Sequence, residues 1–123
     1  MNTLYENLGG ATGISKMVDD IVEAHLNNPV INARFLPYLE KPERVAEIKK
    51  HTCDFLGAGS GGPEQYTGRS MLESHRGMNI SEAEYIAVID DIMGVLEKHG
   101  IVESARKDVL AITFALKGEI LHQ

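Results

Sequence analysis

The 123-residue sequence contains one cysteine and no tryptophan. A lone Cys53 cannot close an internal disulfide, and it cannot supply a multi-cysteine zinc or iron–sulfur site within one chain. Positive charge is also scarce. Twelve Lys and Arg stand against 18 Asp and Glu, a net −6, so the basic footprint of a nucleic-acid binder is missing. The longest unbroken apolar run, Tyr85 to Ile89, is five residues, far short of the ~20 that span a membrane. The opening MNTLYENLGG has neither a basic patch nor an apolar core of signal-peptide length. No Gly-x-Ser-x-Gly, no phosphate-binding glycine loop followed by Lys-Ser/Thr and no His-Glu-x-x-His occurs. Sustained period-two alternation is absent, so strands are not expected. These absences leave one acidic, all-α domain over 1–123, expected in the reducing cytoplasm with no nucleic-acid or membrane partner.

What is present reads as helices. Thr3 with Glu6 is a capping-box pair, and Gly9-Gly10 stops the short helix it opens. From Ala11, the positions Ile14, Met17, Val18, Ile21, Val22 and Leu26 follow helical spacing until Asn27-Asn28-Pro29. A brief connector carries Phe35, Leu36 and Pro37. Pro42 suits a first-turn position, leading into Val45, Ile48, Thr52, Phe55 and Leu56 on one face. Gly57 to Pro63 breaks the chain, and a loop runs to about Gly68. A short helix around Met71 to Arg76 follows. Ser81 with Glu84 is a second capping box, opening the stripe Tyr85, Val88, Ile89, Ile92 and Leu96 before Gly100. The last helix carries Val109, Ile112, Leu116 and Ile120.

Five histidines are the groups most able to do chemistry. His122 lies next to the C-terminal Gln123 and His99 abuts Gly100, where an imidazolium faces a helix C-terminus favourably; both read as structural. His25 falls on its helix's apolar stripe, three and four residues past Val22 and Ile21. It reads as a hydrogen-bonded core residue, with a pocket-facing role as the alternative. His51 stands at the edge of an apolar face, beside Lys49 and Lys50, and surface and site readings both stay open. By spacing alone His75 is unremarkable. Cys53 sits beside Asp54, and a neighbouring carboxylate raises a thiol pKa, so it reads as a small filler and not a nucleophile. Asp19-Asp20 and Asp90-Asp91 point about 100° apart on a helix and read as solvated face.

Three segments together resemble the truncated haemoglobins of group I over essentially the full chain. Leu4-Tyr5-Glu6-Asn7-Leu8-Gly9-Gly10 is similar to that family's first helix and glycine pair. His51-Thr52-Cys53-Asp54-Phe55-Leu56, closed by Gly61-Gly62, is similar to the end of its distal helix. Tyr66-Thr67-Gly68-Arg69-Ser70-Met71-Leu72-Glu73-Ser74-His75 is close to its most specific signature, which ends in the proximal haem ligand; Gly77-Met78-Asn79-Ile80-Ser81 resembles the usual exit.

The resemblance implies a two-over-two helical sandwich enclosing haem, with segments 11–27 and 42–57 crossing 82–99 and 103–121. His75 becomes the expected iron ligand through a neutral imidazole. Phe35, Leu36, Phe55, Met71, Met78, Ile80, Tyr85 and Val88 are implied pocket walls, and Arg69 and Lys50 implied partners of the haem propionates. Where most relatives place Tyr on the second helix this chain has Val22, and where many carry Gln on the distal helix it has Ile48, with Thr52 next inward. The usual donors to a bound gas are thereby lost, leaving His51, His25 and the Thr52 hydroxyl. His51 is expected to ligate iron on the distal side when no other ligand is present; the alternative has it pointing outward to a propionate. With no Cys-x-x-Cys-His, and Leu116 where some relatives tether haem through histidine, noncovalent haem b is expected. The function implied is binding of O₂, NO or CO by a monomer, for sensing, storage or oxygen transport. NO dioxygenation with an external reductase is the enzymatic alternative, and a haem-free helical interaction module is the third reading.

Overall fold

Local signals set most helix ends in the computed structural model, which describes residues 3–123. Thr3 accepts from the Glu6 amide while the Glu6 carboxylate accepts from the Thr3 amide, the box that opens α1 (Leu4–Asn7). Gly9, at φ 90°, takes the left-handed turn into α2 (Gly10–Asn27) that a side chain would resist. Pro42 occupies the first turn of α4 (Pro42–Gly59). Ser70 caps α5 (Met71–His75), and the Ser81–Glu84 box opens α6 (Glu82–Lys98).

Two stretches depart from the sequence reading. The connector around Phe35 is itself helical: α3 (Asn32–Phe35) runs into a 3-10 turn, Leu36–Glu40. The last helix does not run through to 121 but breaks at Leu116 into α7 (Glu103–Ala115) and α8 (Lys117–Ile120). A contact from α6 falls at the break. The Tyr85 hydroxyl donates to the Thr113 carbonyl, the acceptor that the Lys117 amide would use in a continuous helix. The Leu116 amide takes the same carbonyl over the tighter span, at 3.2 Å.

α2 packs on α4 and on α6, and α6 packs on α7, giving the all-α two-over-two sandwich expected. Its core comes in two clusters. Leu8, Ile14, Met17, Val18 and Ile21 meet Val95, Leu96 and Val109 in the first. Ile80, Tyr85, Ile89 and Ile120 form the second, with Met71 and Leu116 against it. The apolar stripe of α4 joins neither fully. Val45, Ile48, Thr52 and Phe55 are all only half-buried, so this face is left for something other than core.

Polar contacts at two places fix the surrounding loops. Tyr5 donates to Glu64 Oε1 at 2.7 Å, and Glu64 lies so close to α4 that a Cβ on Gly57 would stand 2.5 Å from its other oxygen. At the opposite end, α8 packs on α5 and the chain then returns beside the loop that leaves α5. The His122 amide donates to the Ile80 carbonyl at 3.0 Å, and the Gln123 carbonyl accepts from Gly77 and Asn79 at 3.2 and 2.9 Å. Among the described residues no helix is long and apolar enough to cross a membrane.

Candidate functional site

The unfilled face of α4 looks across a cleft of about 550 Å³ to α5 and the loop before it. Arg44, Glu47, Ile48, His51, Thr52 and Phe55 line one side; Tyr66, Arg69, Met71, Ser74 and His75 line the other. The volume falls in the range of small-molecule and cofactor sites. The lining residues of α4 follow from helical spacing, since 44, 48, 51 and 55 lie one turn apart on one face.

His75 is fixed in a defined tautomer. Its Nδ1–H donates to the Met71 carbonyl, one turn back, at 2.8 Å, and the Ser74 hydroxyl lies 3.0 Å from the same nitrogen. A proton held on Nδ1 leaves the lone pair on Nε2, the form in which histidine binds a metal. Among the described residues no cluster of three or more His, Cys, Asp or Glu could hold a metal ion. A metal at His75 must therefore bring most of its ligands with it, as a macrocycle does. Apolar Ile48, Phe55 and Met71 share the cleft with the cation Arg69 and with Arg44, which is paired to Glu47 at 2.8 Å, a lining that suits a flat apolar group that carries carboxylates at its edge.

Across the cleft His51 is half-buried. Its Nδ1 is buried with no hydrogen-bond partner, while Nε2 stands 3.8 Å from Glu47 Oε1, within ion-pair reach but too far for a hydrogen bond. Tyr66 packs edge-on against both His51 and Phe55, with ring centroids 6.1 and 5.3 Å away, and its hydroxyl donates to the Arg69 carbonyl.

The other polar candidates are already committed. The Thr52 hydroxyl donates to the Ile48 carbonyl at 2.8 Å, the usual i−4 bond of a helical threonine. His25 is 7% exposed and its Nδ1 lies 2.8 Å from Asp91 Oδ2, with the ring stacked on Phe35 at 5.2 Å. Asn28 donates to both Asp91 oxygens at 3.2 Å. Asp91 is therefore a partner of the buried His25, not the solvated face expected of the Asp90-Asp91 pair. Asp20 likewise accepts from His99, with Nε2 and Oδ2 2.7 Å apart.

Several expected site residues lie elsewhere. Lys50 points away from the cleft, because i,i+4 spacing pairs its ammonium with Asp54 Oδ2 at 2.8 Å, and Asp54 raises the pKa of Lys50. Phe35 packs on His25. Tyr85 and Ile80 are buried in the second core cluster, Val88 is half-buried, and Leu36 and Met78 are exposed. Ile48, His51, Thr52, Phe55, Arg69, Met71 and His75 do converge. Arg44, Glu47 and Tyr66 were not anticipated; extending the Ile48–His51–Phe55 stripe one turn back would have found Arg44. Burial, reinforced by Asp19, Asp54 and Glu64, raises the pKa of the Cys53 thiol and holds it protonated at neutral pH.

Comparison with known proteins reaches the whole chain. The family model described as "Bacterial-like globin" matches residues 3–122. The group 1 truncated hemoglobin GlbN of Synechocystis sp. is 30% identical over 129 residues, covering 100% of both chains. That of Nostoc sp. (strain MUN 8820) is 28% identical over 123 residues, again covering 100% of both. Among solved structures, truncated hemoglobin from Tetrahymena pyriformis in its Fe(III) form superposes with a TM-score of 0.89 at 24% identity, over 99% of this chain and 100% of that one. The 2/2 hemoglobin of Synechococcus sp., in the cyanomet state with covalently attached heme, gives 0.84 at 23% identity, over 98% of each chain.

Proposed function

Since the chain belongs to the bacterial-like globins, and among them to the group 1 truncated haemoglobins, we propose that it holds noncovalent haem b between α4 and α5, with His75 as proximal ligand. Truncated globins bind haem and diatomic gases, and the ligand class proposed here is O₂, CO and NO. When bound, haem would supply the iron at which such gases coordinate.

One observation carries this reading: the 2.8 Å bond from His75 Nδ1 to the Met71 carbonyl, which leaves Nε2 as the metal-binding nitrogen. The backbone of α5 thus orients the imidazole before any cofactor arrives. Arg69 is the lining cation that would meet a propionate, and Ile48, Phe55 and Met71 would keep water from the bound group. Leu116, packed on the second core cluster, offers no nucleophile for a covalent tether. Reconstitution with hemin should give a stoichiometric Soret-absorbing complex, and His75→Ala should lose it or leave misligated haem. An unchanged spectrum in that variant would overturn the assignment.

On the distal side we propose His51 as the ligand when no gas is bound. The Thr52 and Tyr66 hydroxyls donate to Ile48 and Arg69, and His25, 7% exposed and paired with Asp91, is not among the residues that line the cleft. Of the polar groups weighed for the distal side, His51 lines the cleft with Nε2 uncommitted by a hydrogen bond. Low-spin ferric and ferrous spectra that turn high-spin in His51→Leu would support this. A high-spin ferrous spectrum in the unmutated protein would refute it.

A further inference from the structure

We infer that Glu47 is a latch for His51: it holds the imidazole at the mouth of the cleft and so sets how readily the distal position opens. The inference rests on the reading of His51 as distal ligand.

Three observations place Glu47 in that role. First, the two nitrogens of His51 are not equivalent. Nδ1 is buried, so Nε2 is the nitrogen left to reach outward, and it is the one 3.8 Å from Glu47 Oε1. Nε2 can offer a hydrogen to the Glu47 carboxylate or a lone pair to a metal, never both at once, so carboxylate and iron compete for the same nitrogen. Second, Glu47 is itself held. Arg44 Nη1 donates to the same Oε1 at 2.8 Å, one turn back on α4. The chain Arg44–Glu47–His51 therefore shares a single oxygen, and Arg44 draws on the acceptor that His51 would use. Third, all three residues line the cleft on one face of α4, so the contact can form and break by side-chain rotation without moving the helix.

The physical scale is modest. Glu47 is about half exposed, and an ion pair or charge-assisted hydrogen bond in such a setting shifts an equilibrium by about two- to fivefold. That is small against stability but direct in kinetics, because the return of His51 is a single side-chain event. Glu47 acts through His51 and is a positioning residue; it does not touch the gas.

The test uses the ferrous holoprotein with CO as probe. After CO is photolysed away, the low-spin spectrum returns at the rate at which His51 regains the iron. Glu47→Ala should speed that return about two- to fivefold and raise the low-spin fraction of the ferric protein. Arg44→Ala, which frees Glu47 Oε1, should slow the return. Glu47→Gln, which keeps an acceptor, should lie between Glu47→Ala and the parent. Haem content and thermal midpoint of the Glu47 variants should stay with the parent, separating a latch from a merely structural role. A low-spin parent whose return rate ignores Glu47→Ala, or shifts the same way in Glu47→Ala and Arg44→Ala, overturns the latch alone. A high-spin ferrous parent overturns the ligation reading, and the latch falls with it.

Discussion

Replacing His25 by leucine tests whether the contact between α2 and α6 is polar in energy as well as in geometry. The imidazole is 7% exposed and the Asp91 side chain 16%, so removing the histidine strands a carboxylate in a nearly dry site. Breaking a fully buried pair costs about 3–5 kcal/mol. Here Asn28 keeps its two 3.2 Å hydrogen bonds to Asp91, which brings the expected loss to about 2–3 kcal/mol. In a chain of this length that is a fall in thermal midpoint of about 8–12 °C. Asp91→Leu should cost about 2 kcal/mol, because a neutral imidazole is cheaper to strand than a carboxylate. Replacing both partners by leucine leaves only the half-buried Asn28 amide without its acceptor, and the double variant should lose only about 1–2 kcal/mol. Urea unfolding of the four proteins in one cycle measures the coupling directly. Additive losses would refute the argument, since they would mean that each side chain contributes by packing alone.

Three further outcomes follow from the same structure. Arg34 and Glu84 join α3 to α6, and the guanidinium holds the Glu84 carboxyl at about 2, below its usual 4.5. A depressed folded-state pKa means that the bond stabilises fully above about pH 4.5 and fades as pH falls toward 2; Arg34→Met should lower the melting point at pH 6 and converge on the parent near pH 2. Gly62→Ala places a Cβ 2.5 Å from the Tyr5 ring, an overlap expected to cost about 1–3 kcal/mol in denaturant unfolding; a neutral result would mean that the Tyr5–Glu64 loop is loose. Thr52→Val should leave the O₂ release rate within about twofold, because its hydroxyl is already bonded to Ile48; a tenfold acceleration in stopped flow would show that the hydroxyl turns to the gas.

Both capping boxes, the proline at the start of α4 and the apolar stripes of α2 and α6 were legible because each depends on residues within one or two turns. That residues 66–75 would line the cleft was legible through family likeness alone; by spacing, His75 is one more helix-end histidine. What stayed hidden depends on distant partners. Nothing near Asp91 announces that a histidine 66 positions away will bury it, and nothing near Thr113 announces that a tyrosine on another helix will claim its carbonyl. Lys50 was misplaced for a simpler reason. Two residues past Ile48, it sits about 200° around the helix and meets Asp54 instead of the cleft.

The return of the chain's last residues beside α5 has a mechanical consequence. A five-residue helix cannot stand alone in water, so the stiffness with which His75 is presented must be borrowed. Ser70 clamps one end. At the other, three backbone hydrogen bonds from the strip 122–123 moor the loop 77–80. His75 is thus suspended between a cap five residues before it and an anchorage more than forty residues after it. If His75 binds iron as proposed, deleting residues 122–123 should slacken that suspension and broaden the iron–histidine stretching band, although every side chain in the cleft is intact.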